Sequence, residues 1–152
     1  MFRGVNHITM DAKGRIALPV KQRELLQAFC GGQLVVTIDI QSRSLMVYPL
    51  STWESIEREL QDLPAMNPDV RRVQRLLIGY ASDLEFDGSG RVLLPQSLRD
   101  YASLEKKLVL VGQGKKLELW SEEVWLSERD KWLEEAIDVS VMPEELLSIF
   151  NK

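Results

Sequence analysis

The chain has 152 residues, 45% apolar and 28% charged, with one cysteine, one histidine and a formal charge of −4. That suffices for a buried core. No apolar run is long enough to span a membrane, Cys30 alone allows no internal disulfide and suits a reducing cytoplasm, and His7 alone excludes a multi-histidine metal site.

The chain starts without an apolar signal-type stretch, so no secretory leader is expected in residues 1–7. Residues 8–10 alternate toward Asp11 and predict a short strand. Asp11-Ala12-Lys13-Gly14 predicts a turn, because a carboxylate can accept nearby backbone amides and Gly tolerates positive φ. A strand resumes at 15–18, so a hairpin is expected. Pro19 ends it and suits the start of a helix over 20–29. Gly31-Gly32 turns the chain into a β-rich run at 34–38, and a second strand follows at 45–48. Ser51-Thr52-Trp53-Glu54 reads as a capping box for a helix to about Asp62, stopping before Pro64. Asn67-Pro68-Asp69 opens another helix, with Val70, Val73, Leu76, Leu77 and Tyr80 on one face and Arg71, Arg72 and Arg75 on the other. The pattern then repeats: strand 84–86, turn Asp87 to Gly90, strand 91–94, Pro95, helix 96–102, strands 108–111 and 117–120. A helix over 122–137 is expected to bury Trp125, Leu126, Trp132, Leu133 and Ile137, and Pro143 opens a last amphipathic helix.

The order of features is thus written twice. Asp11 to Pro19 matches Asp87 to Pro95 at five of nine positions, and Arg23 and Arg99 keep one offset from their motifs. Each copy continues through two strands, an aromatic residue (Tyr48, Trp120) and a tryptophan five positions later (Trp53, Trp125). Duplication explains this better than coincidence. Two copies predict a pseudo-symmetric pair rather than a solenoid. The charge is divided as well. Residues 117–152 carry −7 and residues 1–116 carry +3, with Arg3, Lys13, Arg15, Lys21 and Arg23 near the front.

The motif Asp-x-x-Gly-Arg-[Ile/Val]-x-Leu-Pro resembles the signature of the AbrB/SpoVT class of swapped-hairpin proteins. Two copies, with Met1-Phe2-Arg3-Gly4 ahead and Asn67-Pro68 and Arg71-Arg72-Val73-Gln74-Arg75 between, closely resemble the MraZ family through about Trp132. The resemblance implies an α+β fold: a pseudo-symmetric duplicated β-barrel of the swapped-hairpin (double-split barrel) type with peripheral helices. The expected units are 1–66 (first repeat and trailing helix), 67–76 (linking helix), 77–134 (second repeat and trailing helix) and 135–152 (acidic tail). It also implies a nucleoid-associated transcriptional regulator, a closed ring of identical chains. Its DNA target would be short, tandem, G-rich promoter repeats of the division and cell-wall gene cluster that includes its own gene.

The residue chemistry agrees with that expectation. A β-ribbon fits the DNA major groove and a guanidinium binds guanine O6 and N7 together, so Arg15 is the first candidate reader. Lys13 and Arg3 suit phosphates, and Gly14 permits close backbone approach. Arg91 is the second-copy counterpart, in a turn where Ser89 replaces Lys13. Asp11, Gly14, Asp87 and Gly90 are expected to build the turns, with Asp11 also able to hold Arg15. Arg71, Arg72 and Arg75 suit phosphate or intersubunit contacts, and Trp53 and Trp125 suit core anchors. His7 is expected to be a strand residue without chemistry, and Cys30 a buried apolar filler. No enzyme is expected, since no nucleophile–base pair or phosphate loop is present, and no cofactor, metal or small-molecule substrate is implied. The alternative is a protein-binding, antitoxin-like module of the same class. Against it stand the second copy and the helical periodicity of the acidic tail.

Overall fold

Residues 34–38 are apolar at every position but Thr37, a composition suited to a strand covered on both faces. A computed structural model describes residues 1–152 and places this run at the heart of an α+β fold. The elements are β1 Val5–Thr9, β2 Arg15–Ala17, α1 Val20–Cys30, β3 Gln33–Ile38, β4 Leu45–Pro49, α2 Leu50–Asp62, α3 Pro68–Gly79, β5 Ser82–Glu85, β6 Arg91–Leu93, α4 Gln96–Tyr101, β7 Lys107–Gly112, β8 Leu117–Ser121, α5 Glu122–Glu134, a 3₁₀ turn Val139–Val141 and α6 Glu144–Phe150.

Strands β1-β7-β8-β4-β3-β5 form one antiparallel sheet in that order, and β2 and β6 form a separate two-stranded ribbon. The expected local hairpins therefore do not form. β1 leaves its neighbour β2 to pair with β7 of the other half, and β5 leaves β6 to pair with β3. Between β1 and β2 only the Met10–Ile16 bridge remains. The six-stranded sheet is open, with β1 and β5 at its edges, so no closed barrel results. The two halves are interleaved rather than set side by side.

Alternation along the strands sorts the core into two sides. Leu34, Val36, Ile38, Leu45, Val47, Leu108, Leu110, Leu117 and Leu119 face inward, against Leu26 of α1, Leu98 of α4 and Ile16 and Val92 of the ribbon. On the outer side, Val35, Met46 and Tyr48 pack with Trp53 of α2 and with Leu77 and Ile78 of α3. Val109, Val111 and Trp120 pack with Trp125 of α5. Trp53 and Trp125 are thus core anchors, each about 5.6–5.7 Å from the ring of Tyr48 or Trp120.

Two helix expectations need correction. The capping box at Ser51 does not form: α2 starts one residue earlier after Pro49, and no side chain caps it. Helix α5 ends at Glu134, and Trp132, Leu133 and Ile137 are exposed rather than buried. Its 13 residues span about 20 Å, the length of the six-residue strand β7 beneath it. Residues past Glu134 therefore overrun the sheet. By contrast, Asn67 caps α3 as expected, accepting from the Asp69 and Val70 amides.

Interleaving predicts one cooperative unit. Leu34→Ala in one half and Leu110→Ala in the other should each cost about 3 kcal/mol, since both side chains are fully buried. Urea unfolding followed by fluorescence should show both variants lowering one shared transition, whereas separate transitions for the halves would contradict a common core.

Candidate nucleic-acid interface

The site starts at two turns. Asp11 Oδ1 accepts from the backbone amides of Lys13 and Arg15, both at 2.9 Å, and its Oδ2 accepts from Arg15 Nε at 2.7 Å. Asp87 repeats this on the amides of Ser89 and Arg91 at 2.8 and 2.9 Å, and on Arg91 Nε at 3.2 Å. Gly14 and Gly90 close the turns at φ +89° and +76°, a region that suits glycine. Asp11 and Asp87 therefore both make the turn and hold the arginine.

The backbone bonds from Arg15, above all, hold the Asp11 carboxyl down at about 2, and those from Arg91 lower Asp87 in the same way. Both acids stay ionised at any physiological pH. The arginines are consequently oriented from the Nε side. Arg15 makes no other side-chain hydrogen bond, so its terminal amino groups remain available.

The ribbon then brings the two turns together. Arg15 pairs with Leu93, Ile16 with Val92 and Ala17 with Arg91. Cross-strand partners share a face, so Ile16 and Val92 point into the core while Arg15, Ala17, Arg91 and Leu93 lie on the opposite face. Arg15 and Arg91 are diagonal neighbours there, and an Arg91 terminal nitrogen lies 3.9 Å from Asp11 Oδ2. Leu93 is 55% exposed between them, an apolar surface of the kind that meets a thymine methyl.

Each turn is buttressed by the other half. The guanidinium of Arg99 lies where a Cβ on Gly14 would sit, about 2.7 Å from that position, and its Nε donates to the Leu94 carbonyl at 3.0 Å. Arg23 stands likewise against Gly90. The shared offset of Arg23 and Arg99 was the visible sign of this, but sequence reasoning assigned them no role. Leu93 was missed too, because an apolar residue in a strand reads as core.

The other candidates lie elsewhere. Lys13 is exposed in the first turn. Arg3 is separated from that turn by the full length of β1, roughly 15 Å, and sits beside α1, where Gln22 donates to its carbonyl. Arg71, Arg72 and Arg75 are exposed on α3, on the outer side of the sheet and away from the ribbon. Only Arg72 has an acidic partner, Asp69 at 3.5 Å. His7 does make a contact, Nδ1 to Glu122 Oε2 at 3.2 Å, which ties β1 to α5. Cys30 is half-buried, its thiol donating to the carbonyls of Leu26 and Gln33.

As pH falls from about 4 to 2, Asp11 protonates and its share of stability, complete at higher pH, is lost. An NMR titration should place its midpoint near 2, and a midpoint at 3.8, the ordinary aspartate value, would deny the carboxylate its amide bonds. Gly14→Ala should cost about 1–3 kcal/mol from the backbone alone. Thermal melts should show Arg99→Ala relieving only part of that loss.

A family model described as "MraZ protein, putative antitoxin-like" matches residues 1–76 and again 77–140. The chain is 57% identical over 149 residues to a protein named Transcriptional regulator MraZ from Alkalilimnicola ehrlichii, covering 98% of this chain and 99% of that one. Proteins of the same name from Halorhodospira halophila and Legionella pneumophila are 51% and 52% identical, over 98% and 96% of this chain and 99% and 97% of theirs. The chain belongs to the MraZ family.

Proposed function

We propose that this protein is a sequence-specific DNA-binding transcriptional regulator that presents the β2–β6 ribbon to the major groove. The observation that carries the reading is the ribbon itself, an antiparallel pair with Arg15 and Arg91 on one outward face and each guanidinium held at Nε by its own aspartate. A two-stranded ribbon fits the groove, and a guanidinium fixed at Nε can offer its terminal amino groups to guanine O6 and N7. Lys13 adds a phosphate contact, and Leu93 and Ala17 add apolar surface for thymine. The relatives' name, transcriptional regulator, is in keeping with this role.

The finer reading follows the family resemblance. The targets are tandem short G-rich promoter repeats of the division and cell-wall cluster, including the protein's own gene, and the protein is cytoplasmic and nucleoid-associated. The crossed pairing of β1 with β7 and β5 with β3 supports placing the chain, duplicated over 1–66 and 77–134, in the swapped-hairpin class. One ribbon makes few base contacts, and the chain carries −4 overall, so a single copy binds weakly. A closed ring on tandem repeats supplies the missing affinity through effective concentration. No helix of the chain is long and apolar enough to cross a membrane. The proposed role is regulatory rather than enzymatic, in keeping with the relatives' name.

The test is binding to a promoter fragment with tandem G-rich repeats across a salt series. Arg15→Ala should lose about 10- to 100-fold in specific affinity for each repeat engaged, at unchanged oligomeric size, the value of one bidentate guanine contact. Lys13→Ala should lower the salt slope by roughly 0.9 for each repeat engaged and weaken all sequences alike. Arg91→Ala should be milder, as its turn lacks the lysine. Unchanged specific affinity in Arg15→Ala would sink the assignment.

A further inference from the structure

The chain carries two unpartnered surfaces of opposite character. The first is the C-terminal segment. Beyond Trp132 the chain exposes Leu133, Ile137, Val139, Val141, Ile149 and Phe150, with Val141 at 78% and Phe150 at 76%. No residue of α6 is buried. Residues 133–152 hold Glu134, Glu135, Asp138, Glu144 and Glu145 against Lys152 alone, a charge of −4. The second surface is the α2–α3 corner. Met66 is 93% exposed and Leu63 is exposed beside it. Helix α3 carries Arg71, Arg72 and Arg75 against Asp69 alone, and Arg71 and Arg75 have no acidic partner. A shallow cleft of about 460 Å³ lies there, lined by Ala65, Arg71, Gln74, Arg75, Ile78 and Gly79.

We infer that the C-terminal segment of one chain docks on the α2–α3 corner of a second copy, and that this is the contact that closes the ring. The inference rests on the ring reading proposed above and names its two faces. Charge selects the occupant: a segment at −4 meets a helix at +2, each with apolar residues for the other to cover. The same charge turns the segment away from DNA. Within one chain the segment leaves this corner bare, with Met66 93% exposed and no residue of α6 buried, so the occupant is a second copy. Helix α5, which launches the segment, packs on Val109 and Trp120 of β7 and β8, whereas α3 packs on Val35 of β3, with α2 against Val35, Met46 and Tyr48 between them. Two different faces of one chain make a head-to-tail contact, the kind that propagates into a ring. The corner also lies on the side of the sheet opposite the ribbon, so docking there leaves Arg15 and Arg91 free. In this account the arginines of α3 serve assembly rather than phosphate.

The experiment is sedimentation velocity at micromolar concentration on the full chain. Wild type should be a discrete oligomer. Ile137→Asp/Phe150→Asp damages only the segment, and Arg71→Glu/Arg75→Glu only the corner; all four side chains are exposed, and circular dichroism checks the fold. Each double variant should lose assembly. Their equimolar mixture should give dimers, because each retains the face the other lacks. Adding Glu144→Arg/Glu145→Arg to the corner variant should restore assembly. If either variant misfolds, Met66→Cys/Val141→Cys in a Cys30→Ser chain provides the independent reading: oxidation should link different chains. Oligomers of wild-type mass in both variants, or the absence of interchain links, would overturn the docking and leave the ring reading intact. A monomeric wild type would overturn both. A corner variant that still assembles but loses DNA affinity would return the arginines to a phosphate role.

Discussion

The first strand of each half finds its hydrogen-bonding partners in the other half. β1 runs along β7 through five residue pairs and β5 along β3 through four, while the strands that follow them, β2 and β6, meet each other. Everything at the proposed DNA surface depends on this crossing. The ribbon exists because β2 and β6 have been released from their own hairpins. Its inner face, Ile16 and Val92, is fastened into a core built by both halves. Its outer face carries the two arginines because cross-strand partners share a side. A half on its own would have neither the ribbon nor the floor beneath it.

Electrostatics then sets what the ribbon can do. Each aspartate spends one oxygen on two backbone amides and the other on its arginine's Nε. The carboxylates stabilise the turn at neutral pH without fully neutralising the terminal amino groups, so the pair is a positioned cation rather than a closed ion pair. Behind each turn stands an arginine from the opposite half, Arg99 at Gly14 and Arg23 at Gly90. These add positive charge near the ribbon, in a body at +3, while residues 117–152 stand at −7. A chain of net −4 can therefore present a cationic tip.

Much of this was legible in the sequence. The apolar run at 34–38, the Asn67 cap and the Asp11 and Asp87 turns are local signals, and each led to the structure found. Strand partners are not local: nothing between Ile8 and Arg15 distinguishes a closed hairpin from one whose strands part at the turn, so the crossing and the open sheet could not be read from spacing. Helix ends failed for a related reason. Leu133 and Ile137 continue the helical apolar stripe yet are exposed, and Trp132 keeps one side of its ring on Trp120 and Trp125, each 5.8 Å away; length against β7 decides where burial stops. Leu93 is the reverse case: nothing local marks an apolar strand residue as exposed, and only its pairing with Arg15 places it on the outer face.

Arg15 is proposed to read guanine through its major-groove edge. The direct measurement is a coupling experiment on tandem repeats in which 7-deazaguanine replaces guanine, removing the N7 acceptor while leaving base pairing intact. The replacement should weaken wild-type binding about 10-fold for each repeat engaged and have little further effect on Arg15→Ala, because the two changes remove one interaction. Equal losses in wild type and variant would contradict it, since the arginine and the N7 atom would then act independently.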